Sequence, residues 1–437
     1  MMLREPALTA GQLRLMAAHP YDWLRGTADL FALDLTTPGS PGYRATGHGG
    51  AAAARVRLVG DPHLENVGAY RRGDGQVLAD FNDFDGATFG PYWFDVRRLA
   101  LSFALAARLA EDRGLPATAA PAAARAVAEG YVEELARVAA GAAPTVIHAG
   151  TPAGTILDDL LRRADRDGGA RQELTDYTDG TPRTVVYGVH GASPIDGVID
   201  DETVALTAAE ADLVDALMAE YPATLIDAGA RPAGFFAVKG TARRLGAGVR
   251  SYPLLRFYVL VEGATADDGD DVLLELKESG DPVAYPVDRF PDLPFVDNGE
   301  RQVRLQRSLQ EGDDDDPLLG WATVVGMAFK VRDRTAYQKG LSFDRLLDKV
   351  GSADWVEADV IELARQCGRL LARGHAGAPT LDGAPAAAAI AAALDGDGDG
   401  FVDETAGFVA GYLPVVLDDF AIFGALLDDE GPLLGGP

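Results

Sequence analysis

The spacing of apolar residues predicts helices at both ends of the chain. In residues 9–36, 95–112 and 117–140, apolar positions recur at the three- and four-residue intervals of an amphipathic helix. The chain from about residue 343 follows the same period, most strongly in the segment WVEADVIELARQCGRLLARGHA. The two ends are therefore expected to supply a mainly helical body.

The middle of the chain has the composition of β-strands. Between residues 234 and 279, three segments rich in β-branched and aromatic residues are separated by glycine-containing turns, which predicts a three-stranded antiparallel unit. A charged helix, NGERQVRLQRSLQE, follows, and two further strands are predicted around residues 319–332. The pattern is weakest in residues 142–232, which we interpret as a connecting region with one or two helices.

Two short apolar segments early in the chain end in polar clusters. The segment AAAARVRLVGD ends at Asp61, and GQVLADF leads into the cluster from Asp80 to Asp85. The turn sequence RRGDG between them predicts that the two segments form a hairpin. Both acidic groups are then expected at one end of a small sheet.

Composition and charge restrict the classes of function. The chain has 437 residues and a formal net charge of -28, which disfavours nucleic-acid and membrane partners. A nucleotide is itself anionic, so its binding would need a local cluster of basic residues. Cys367 is the single cysteine, so an internal disulfide and a cysteine-rich zinc site are excluded. The sequence shows neither a signal-peptide pattern nor about 18 consecutive apolar residues, and we expect a soluble, cytoplasmic protein.

Four side chains have the chemistry that phosphoryl transfer requires. That reaction needs an aspartate beside the attacking hydroxyl, an asparagine and a second aspartate for Mg²⁺, and a lysine on the phosphates. The segment GDPHLEN supplies Asp61 and Asn66, the next predicted strand ends near Asp83, and Lys277 ends the apolar strand VLLELK. Taken alone, Asp61 and Asn66 also fit a turn in which their side chains satisfy local backbone groups.

Two parts of this predicted site are less sharply defined. Asp80, Asp83 and Asp85 are all candidate metal ligands, because a shift of two or three residues in the strand end exchanges them. The turn RRLGAGVRS places Gly246 and Gly248 before the strand that leads to Lys277, and backbone N–H groups in such a turn can cover phosphates.

The motifs around these residues resemble those of known kinases. VGDPHLENVG is similar to the HGDxHxxN catalytic loop of aminoglycoside-phosphotransferase-type kinases, and FNDFDGATFGPYWFDV is similar to their IDWxxAxxGDPxxDL segment. More closely, GDPHLENVG, FNDFDGATFGP and DVRRLALS, with RRLGAG, LLELKES and LLGW downstream, resemble the bacterial domain-of-unknown-function family 2252, regarded as kinase-like. The similarity covers most of the chain and is most specific in residues 59–102.

The resemblance implies a role for each matching residue of the first motifs. Asp61 corresponds to the catalytic aspartate, Asn66 to a magnesium ligand, and His63 to the histidine that orders the loop. Asp83 corresponds to the metal-binding aspartate, because its spacing to Asp95 in FDV fits the kinase pattern.

The resemblance also assigns residues of the β-rich block. Lys277 matches the lysine that contacts the α- and β-phosphates, and Gly246 and Gly248 lie in the phosphate-covering turn. A kinase pairs this lysine with a helix glutamate, for which Glu300 is the candidate and Gln306 the alternative. The turn GAGVRSYP departs from the tighter Gly-Ser-Gly turn of the family.

The order of the motifs differs from that of ordinary kinases. There the glycine-rich strands and the lysine precede the catalytic loop, whereas here they follow it by about 200 residues. This order predicts a circular permutation, with the cut between the helix ending GRLLARGHAGA and the catalytic loop.

The expected fold class is α+β, a two-lobed protein-kinase-like fold, circularly permuted, with a small antiparallel β-rich lobe and a larger helical lobe. Residues 1–141 would form the first part of the helical lobe with the catalytic and metal-binding loops, and residues 142–232 a connecting or insertion region. Residues 233–340 would form the β-rich nucleotide-binding lobe, and residues 341–437 the second part of the helical lobe.

The expected function is ATP- and Mg²⁺-dependent phosphoryl transfer to a hydroxyl of an acceptor, which the likeness to aminoglycoside-type kinases suggests is a small molecule. Two other classes stay open: nucleotidyl (AMP) transfer, because kinase-like folds can bind the nucleotide inverted, and a catalytically silent nucleotide-binding regulatory module. A calcium loop at DGDGDGFVDETA is disfavoured, because its twelfth position is Ala406 instead of glutamate.

Overall fold

The chain folds as an α+β protein with antiparallel sheets, as its hydrophobic pattern predicts. The computed structural model describes residues 5–189, 193, 195–200, 202–283, 293–311 and 316–434. The helices are α1 Pro6–Ala18, α2 Pro20–Gly26, α3 Ala28–Thr36, α4 Tyr92–Leu109, α5 Ala119–Ala139, α6 Thr155–Gly169, α7 Gln172–Tyr177, α8 Ala208–Glu220, α9 Asn298–Leu309, α10 Phe343–Gly351, α11 Glu357–Gly377, α12 Ala386–Leu394 and α13 Gly398–Glu430.

The strands are short near the N-terminus and longer in the middle of the chain. They are β1 Val56–Leu58, β2 Val67–Arg71, β3 Val77–Phe81, β4 Thr88–Gly90, β5 Ile147–His148, β6 Thr178–Asp179, β7 Thr184–Val185, β8 Gly188–Val189, β9 Glu202–Val204, β10 Val238–Leu245, β11 Arg256–Val261, β12 Val272–Glu278, β13 Gly320–Val324, β14 Met327–Asp333 and β15 Lys339–Gly340.

Helices from both ends of the chain build one core. Helix α5 packs along α11, and α4 and α13 pack against α5. The axes of α5 and α11 approach closely at two glycines: a Cβ added at Gly130 would lie 2.0 Å from the carbonyl oxygen of Arg365, and one added at Gly368 would lie 2.1 Å from that of Val127. The small-residue faces of these helices therefore set the distance between them.

The β-rich block forms a sheet with the order β13-β14-β12-β11-β10-β9-β8. Alternation of side chains sends Phe257, Leu276 and Phe329 to a buried face that packs with α8. The predicted unit of β10, β11 and β12, helix α9 and strands β13 and β14 are confirmed. Strands β8 and β9 add an edge from within residues 142–232, so the sheet begins earlier in the chain than residue 233.

The hairpin near the N-terminus pairs different strands from those predicted. Strand β2 pairs with β3, so that Val67 is opposite Phe81, whereas β1 pairs with β4. A short 3₁₀ turn, Leu64–Asn66, separates β1 from β2. The two polar segments nevertheless lie together at one end of the hairpin, as predicted. The N–H of Asn82 donates to the carbonyl of Asn66 at 2.9 Å and joins them.

Helix α13 is the longest helix in the described part of the chain. It begins at Gly398, and the side chain of Asp397 accepts the N–H of Gly400 at 3.0 Å, so the helix starts inside the calcium-like loop, as expected. By length and composition it is apolar enough to cross a membrane, which the sequence reasoning overlooked because Asp418 and Asp419 interrupt it. A core helix of a globular protein passes the same test of length and composition, and α13 contributes Phe401, Phe408 and Tyr412 to the main hydrophobic core. The cytoplasmic location stays a prediction.

Two glycine-to-alanine substitutions, one at the contact between α5 and α11 and one away from it, should change the free energy of unfolding in opposite directions. Gly368→Ala should lower the free energy of unfolding by about 1–3 kcal/mol, because its methyl group has no space against the facing backbone. Gly407→Ala, on an open face of α13, should raise it by up to about 1 kcal/mol through helix propensity. Urea unfolding of both variants measures the two values, and a stabilised Gly368→Ala protein would show that the helices do not approach this closely.

Candidate active site

The loop after β1 carries the first group of predicted site residues. Gly60 has φ of +88°, and a Cβ added there would lie 2.0 Å from the carbonyl oxygen of Gly86. Only glycine fits both the conformation and the contact. The segment with Asp61 is therefore held directly against the segment that carries Asp83 and Asp85.

The buried carboxylate of Asp95 holds this loop against helix α4. Asp95, in the first turn of α4, accepts the N–H groups of Val59 at 2.7 Å and of Gly60 at 3.2 Å. The Nε2 atom of His375, on α11, lies 3.2 Å from the same carboxylate, and the hydroxyl of Tyr131 lies 2.9 Å from His375 Nδ1. Three helices thus meet at one group that positions the loop.

Asp61 and Asn66 lie together, as the resemblance implies. The Nδ2 group of Asn66 donates to the main-chain carbonyl of Asp61 at 2.6 Å, which leaves the amide oxygen of Asn66 available. The Nε group of Arg98 donates to Asp61 Oδ1 at 2.8 Å. Burial raises the pKa of Asp61 to about 6, although Arg98 and Arg250 oppose that rise. A carboxylate of this kind has the properties of a general base.

His63 is buried in the same loop. Its ring meets that of Tyr21 edge to face at a centroid distance of 6.5 Å. Burial, helped by Arg25 and Arg98, lowers the pKa of His63 well below its ordinary value. The imidazole is therefore neutral near pH 7, and it occupies a position between the loop and α2, in keeping with an ordering role.

Asp83 and Asp85 face the ammonium group of Lys277, the residue predicted to contact the phosphates. Lys277 Nζ makes an ion pair with Asp85 and lies 3.7 Å from Asp83 Oδ2. Burial alone would raise the pKa of Asp83, but Lys277 and Lys330 hold it below its ordinary value. Asp83 also accepts the N–H of Asp85 at 3.1 Å, so the two carboxylates belong to one tight turn.

Asp80, the third candidate ligand, has a different role. It is buried in β3, where its carboxylate pairs with Arg373 of α11 and accepts the N–H of Glu311 at 2.9 Å. The structure therefore separates Asp80 from the other two aspartates.

The predicted site residues other than Glu300 converge on one cleft between the sheet and the helical body. A cavity of about 420 Å³ is lined by both glycines of the turn, together with residues of the hairpin end and of β12. Gly246 and Gly248 have φ of +73° and +78°. An adjoining recess of about 60 Å³ holds Asp61 and His63. The recess and the cavity share Arg25, Asn66, Asp83, Asp85 and Gly248.

Glu300 is not where the resemblance places it. Its carboxylate accepts a main-chain N–H just before α9 at 2.7 Å and the guanidinium of Arg304 at 3.0 Å. As the third residue of α9, it reaches back to the chain that precedes the helix, much as a glutamate in a capping box does. The predicted pairing of Glu300 with Lys277 is therefore wrong. Gln306, the alternative, accepts from Lys330 instead of Lys277.

Several charged residues of the cleft were missed by the sequence reasoning. Glu275 precedes Lys277 by two residues, and Lys330 and Arg332 are two residues apart on β14. Residues separated by two positions share one face of a strand. The alternation of charged and apolar residues in LLELK and FKVRDR is the signal that identifies them.

The cavity wall carries the local cluster of basic residues that an anionic ligand requires. Counted over the described residues that line it, the wall carries seven basic and five acidic side chains, a surplus of two positive charges in a chain of net charge -28. The basic residues are Arg25, Arg244, Arg256, Lys277, Lys330, Arg332 and Arg334, and the acidic residues are Glu65, Asp83, Asp85, Asp200 and Glu275.

The donor set suits Mg²⁺ better than a metal held by protein groups alone. Among the residues that the structure describes, no group of three His, Cys, Asp or Glu side chains could hold a metal. Asn66, Asp83 and Asp85 offer an amide oxygen and two carboxylates in one cavity. Mg²⁺ is commonly bound by one or two carboxylates together with water and substrate phosphates.

Fold and cleft together define a class: an α+β protein with a cationic cavity between an antiparallel sheet and a helical body. Residues 4–426 match the model of a family described as an uncharacterized protein conserved in bacteria (DUF2252), and the chain belongs to this family. No curated protein and no solved structure matches the chain.

The Asp95 contacts make a testable prediction. Asp95→Ala should lower the free energy of unfolding by about 3 kcal/mol, because it removes the carboxylate that accepts from the buried N–H groups of Val59 and Gly60. Asp95→Asn keeps one acceptor oxygen and should cost less. Asp382→Ala, which removes an exposed partner of Arg55, serves as the control. Equal urea-unfolding values for Asp95→Ala and Asp382→Ala would contradict the role of Asp95.

Proposed function

We propose that this protein is an ATP- and Mg²⁺-dependent phosphotransferase that acts on a hydroxyl of a small-molecule acceptor. The observation that carries the proposal is the convergence of Asp61, Asn66, Asp83, Asp85 and Lys277 on one cleft. These residues come from two parts of the chain about 200 residues apart. Their side chains are those that phosphoryl transfer uses to activate a hydroxyl, hold a metal and position phosphates.

Each residue has a role that its contacts support. Asp61 would accept the hydroxyl proton of the acceptor, and Arg98 orients its carboxylate through the 2.8 Å contact. Lys277 would bind the phosphates from the sheet side of the cavity. Mg²⁺, held by Asn66, Asp83 and Asp85, would neutralise charge on the phosphate oxygens.

The order of elements supports a circularly permuted kinase-like fold as part of the proposal. Strands β10 to β12, helix α9, strands β13 and β14 and helices α10 and α11 follow one another as in a kinase that has not been permuted. The chain just after α11 lies beside the start of β1: the N–H of Leu381 donates to the carbonyl of Arg55 at 2.9 Å, and Arg55 pairs with Asp382 at 2.6 Å. Joining these two points would restore the usual order.

Nucleotidyl transfer is the second candidate, and a specific observation favours it. The sheet wall of the cavity carries arginines, which bind phosphates through paired hydrogen bonds, as an inverted nucleotide with its phosphates on this wall would require. Mass spectrometry of the modified acceptor distinguishes the two reactions, because one adds a phosphoryl group and the other an adenylyl group. Binding of ATP without turnover would instead support a catalytically silent module.

The metal assignment predicts the effect of one substitution. Asp83→Asn should reduce Mg²⁺-dependent ATP turnover by about a hundredfold or more, because it removes a charged ligand. The asparagine keeps an oxygen for the N–H of Asp85, so the turn should still form. The measurement is nucleotide release from ATP at several Mg²⁺ concentrations.

A matched control lies on the same hairpin. Asp74 sits in the exposed turn at the opposite end of β2 and β3, where it pairs with Arg72 and accepts the N–H of Gln76 at 2.9 Å. Asp74→Asn should turn over ATP like the wild type. Thermal shift with ATP and Mg²⁺ shows whether each variant still binds. Unchanged turnover in Asp83→Asn would remove Asp83 from the proposed metal site.

A further inference from the structure

The cleft face of the sheet carries a row of positive charges. In the registers of β11, β12 and β14, Arg256 is directly opposite Lys277, and Lys277 is directly opposite Lys330. All three line the cavity. Like charges at directly opposite positions of antiparallel strands destabilise a sheet. Lys277 is paired with Asp85, so part of this row already depends on anionic neighbours.

One carboxylate lies beside this row and is shared by several arginines. Glu275, opposite Arg332, accepts from the Nη2 group of Arg332 at 2.9 Å. The Nη1 groups of Arg244 and Arg256 each lie 3.5 Å from the other oxygen of Glu275. Three guanidinium groups thus contact this one carboxylate. We refer to Arg244, Arg256 and Arg332 as the arginine cluster.

Glu275 stays charged within this cluster. It is 1% exposed, and burial alone would raise its pKa. Arg332 and Arg256 nevertheless hold the pKa of Glu275 well below its ordinary value. Burial, with Arg332 nearby, lowers the pKa of Lys330 to about 8, so Lys330 is largely protonated at pH 7. The positive surplus of the wall therefore exists under ordinary conditions.

The connecting region covers the rest of this sheet face. Tyr177, at the end of α7, packs edge to face on Tyr258 of β11 at a centroid distance of 4.8 Å. The guanidinium of Arg244 lies over the ring of Tyr258 at 5.2 Å, and Arg334 lies 3.2 Å from Glu173. These contacts hold the arginines in place. The sheet wall left open to the cavity is consequently charged, whereas a planar base is usually held by apolar groups.

We propose that the arginine cluster is an anion subsite that takes a phosphate-type oxyanion of the ligand, in addition to the metal-phosphate site at Asp83 and Asp85. Guanidinium groups bind such oxyanions through paired, charge-assisted hydrogen bonds. The oxyanion belongs either to the terminal phosphates of the nucleotide or to a phosphorylated acceptor. Its part in catalysis rests on the proposed function, whereas its binding does not.

The test uses inorganic pyrophosphate as the probe, without divalent metal, in calorimetric titrations of the full chain. Arg244→Gln and Arg332→Gln should each weaken binding about tenfold, the usual loss for one charge-assisted hydrogen bond. Arg243→Gln is the matched control: Arg243 is the neighbouring residue of β10 and pairs with Glu5 and Glu210. Its pyrophosphate affinity should equal that of the wild type.

A second variant makes a prediction of opposite sign. Glu275→Gln removes the competing carboxylate and leaves the arginines, so it should bind pyrophosphate about tenfold more tightly. A misfolded protein cannot produce tighter binding, which keeps the test decisive if an arginine variant unfolds. Wild-type affinity in both arginine variants, an equal loss in Arg243→Gln, or weaker binding by Glu275→Gln would each overturn the subsite.

Titration with ATP and with AMP identifies the source of the oxyanion. A loss in the arginine variants that affects ATP but not AMP assigns the subsite to the terminal phosphates of the nucleotide. A loss of pyrophosphate binding with both nucleotides unaffected assigns it to a phosphorylated acceptor, and either result supports the subsite.

The subsite and the proposed function can fail separately. If the arginine variants lose pyrophosphate binding but the wild type does not turn over ATP, the phosphotransferase alone is rejected. Normal turnover with arginine variants that bind pyrophosphate normally would reject the subsite alone.

Discussion

The candidate site depends on one buried carboxylate, that of Asp95. It receives two main-chain N–H groups from the loop that carries Asp61, and it is met from the other side by His375. His375 belongs to a helix far along the chain, and its ring contacts Tyr131. These contacts connect the loop to the centre of the helical core. A buried charge is stable only when it is fully hydrogen-bonded, and that requirement makes the position of the loop specific.

The grouping of the candidate site residues could be predicted from short motifs, but several contacts could not. GDPHLEN and FNDFDG identify the residues near Asp61 and Asp83, because their chemistry lies within a few consecutive positions. The hairpin was assigned to the wrong strands, because Gly68 and the short length of β2 conceal its β pattern. Glu300 was misplaced, because the start of its helix decides where its side chain turns. Such contacts depend on tertiary packing, which spacing alone does not encode.

Charge in this protein acts on two length scales. A net charge of -28 disfavours polyanions at a distance, whereas the cleft presents a surplus of basic groups at close range. The buried wall is shielded from salt more than the outer surface is. Discrimination therefore favours a small, compact anion that can enter the cavity over an extended one that must cross the acidic exterior. The alternation of charge along β12 and β14 builds this contrast from only a few residues.

The contact between Gly60 and Gly86 has a mechanical consequence. With backbone against backbone and no side chain between them, the loop with Asp61 and the turn with Asp83 and Asp85 are packed as a single unit. Changes in the width of the cleft must then come from the opposite wall, which carries the turn with Gly246 and Gly248. The loop with Asp61 and the turn with Asp83 and Asp85 thus form one wall of fixed shape, and the sheet forms the other wall.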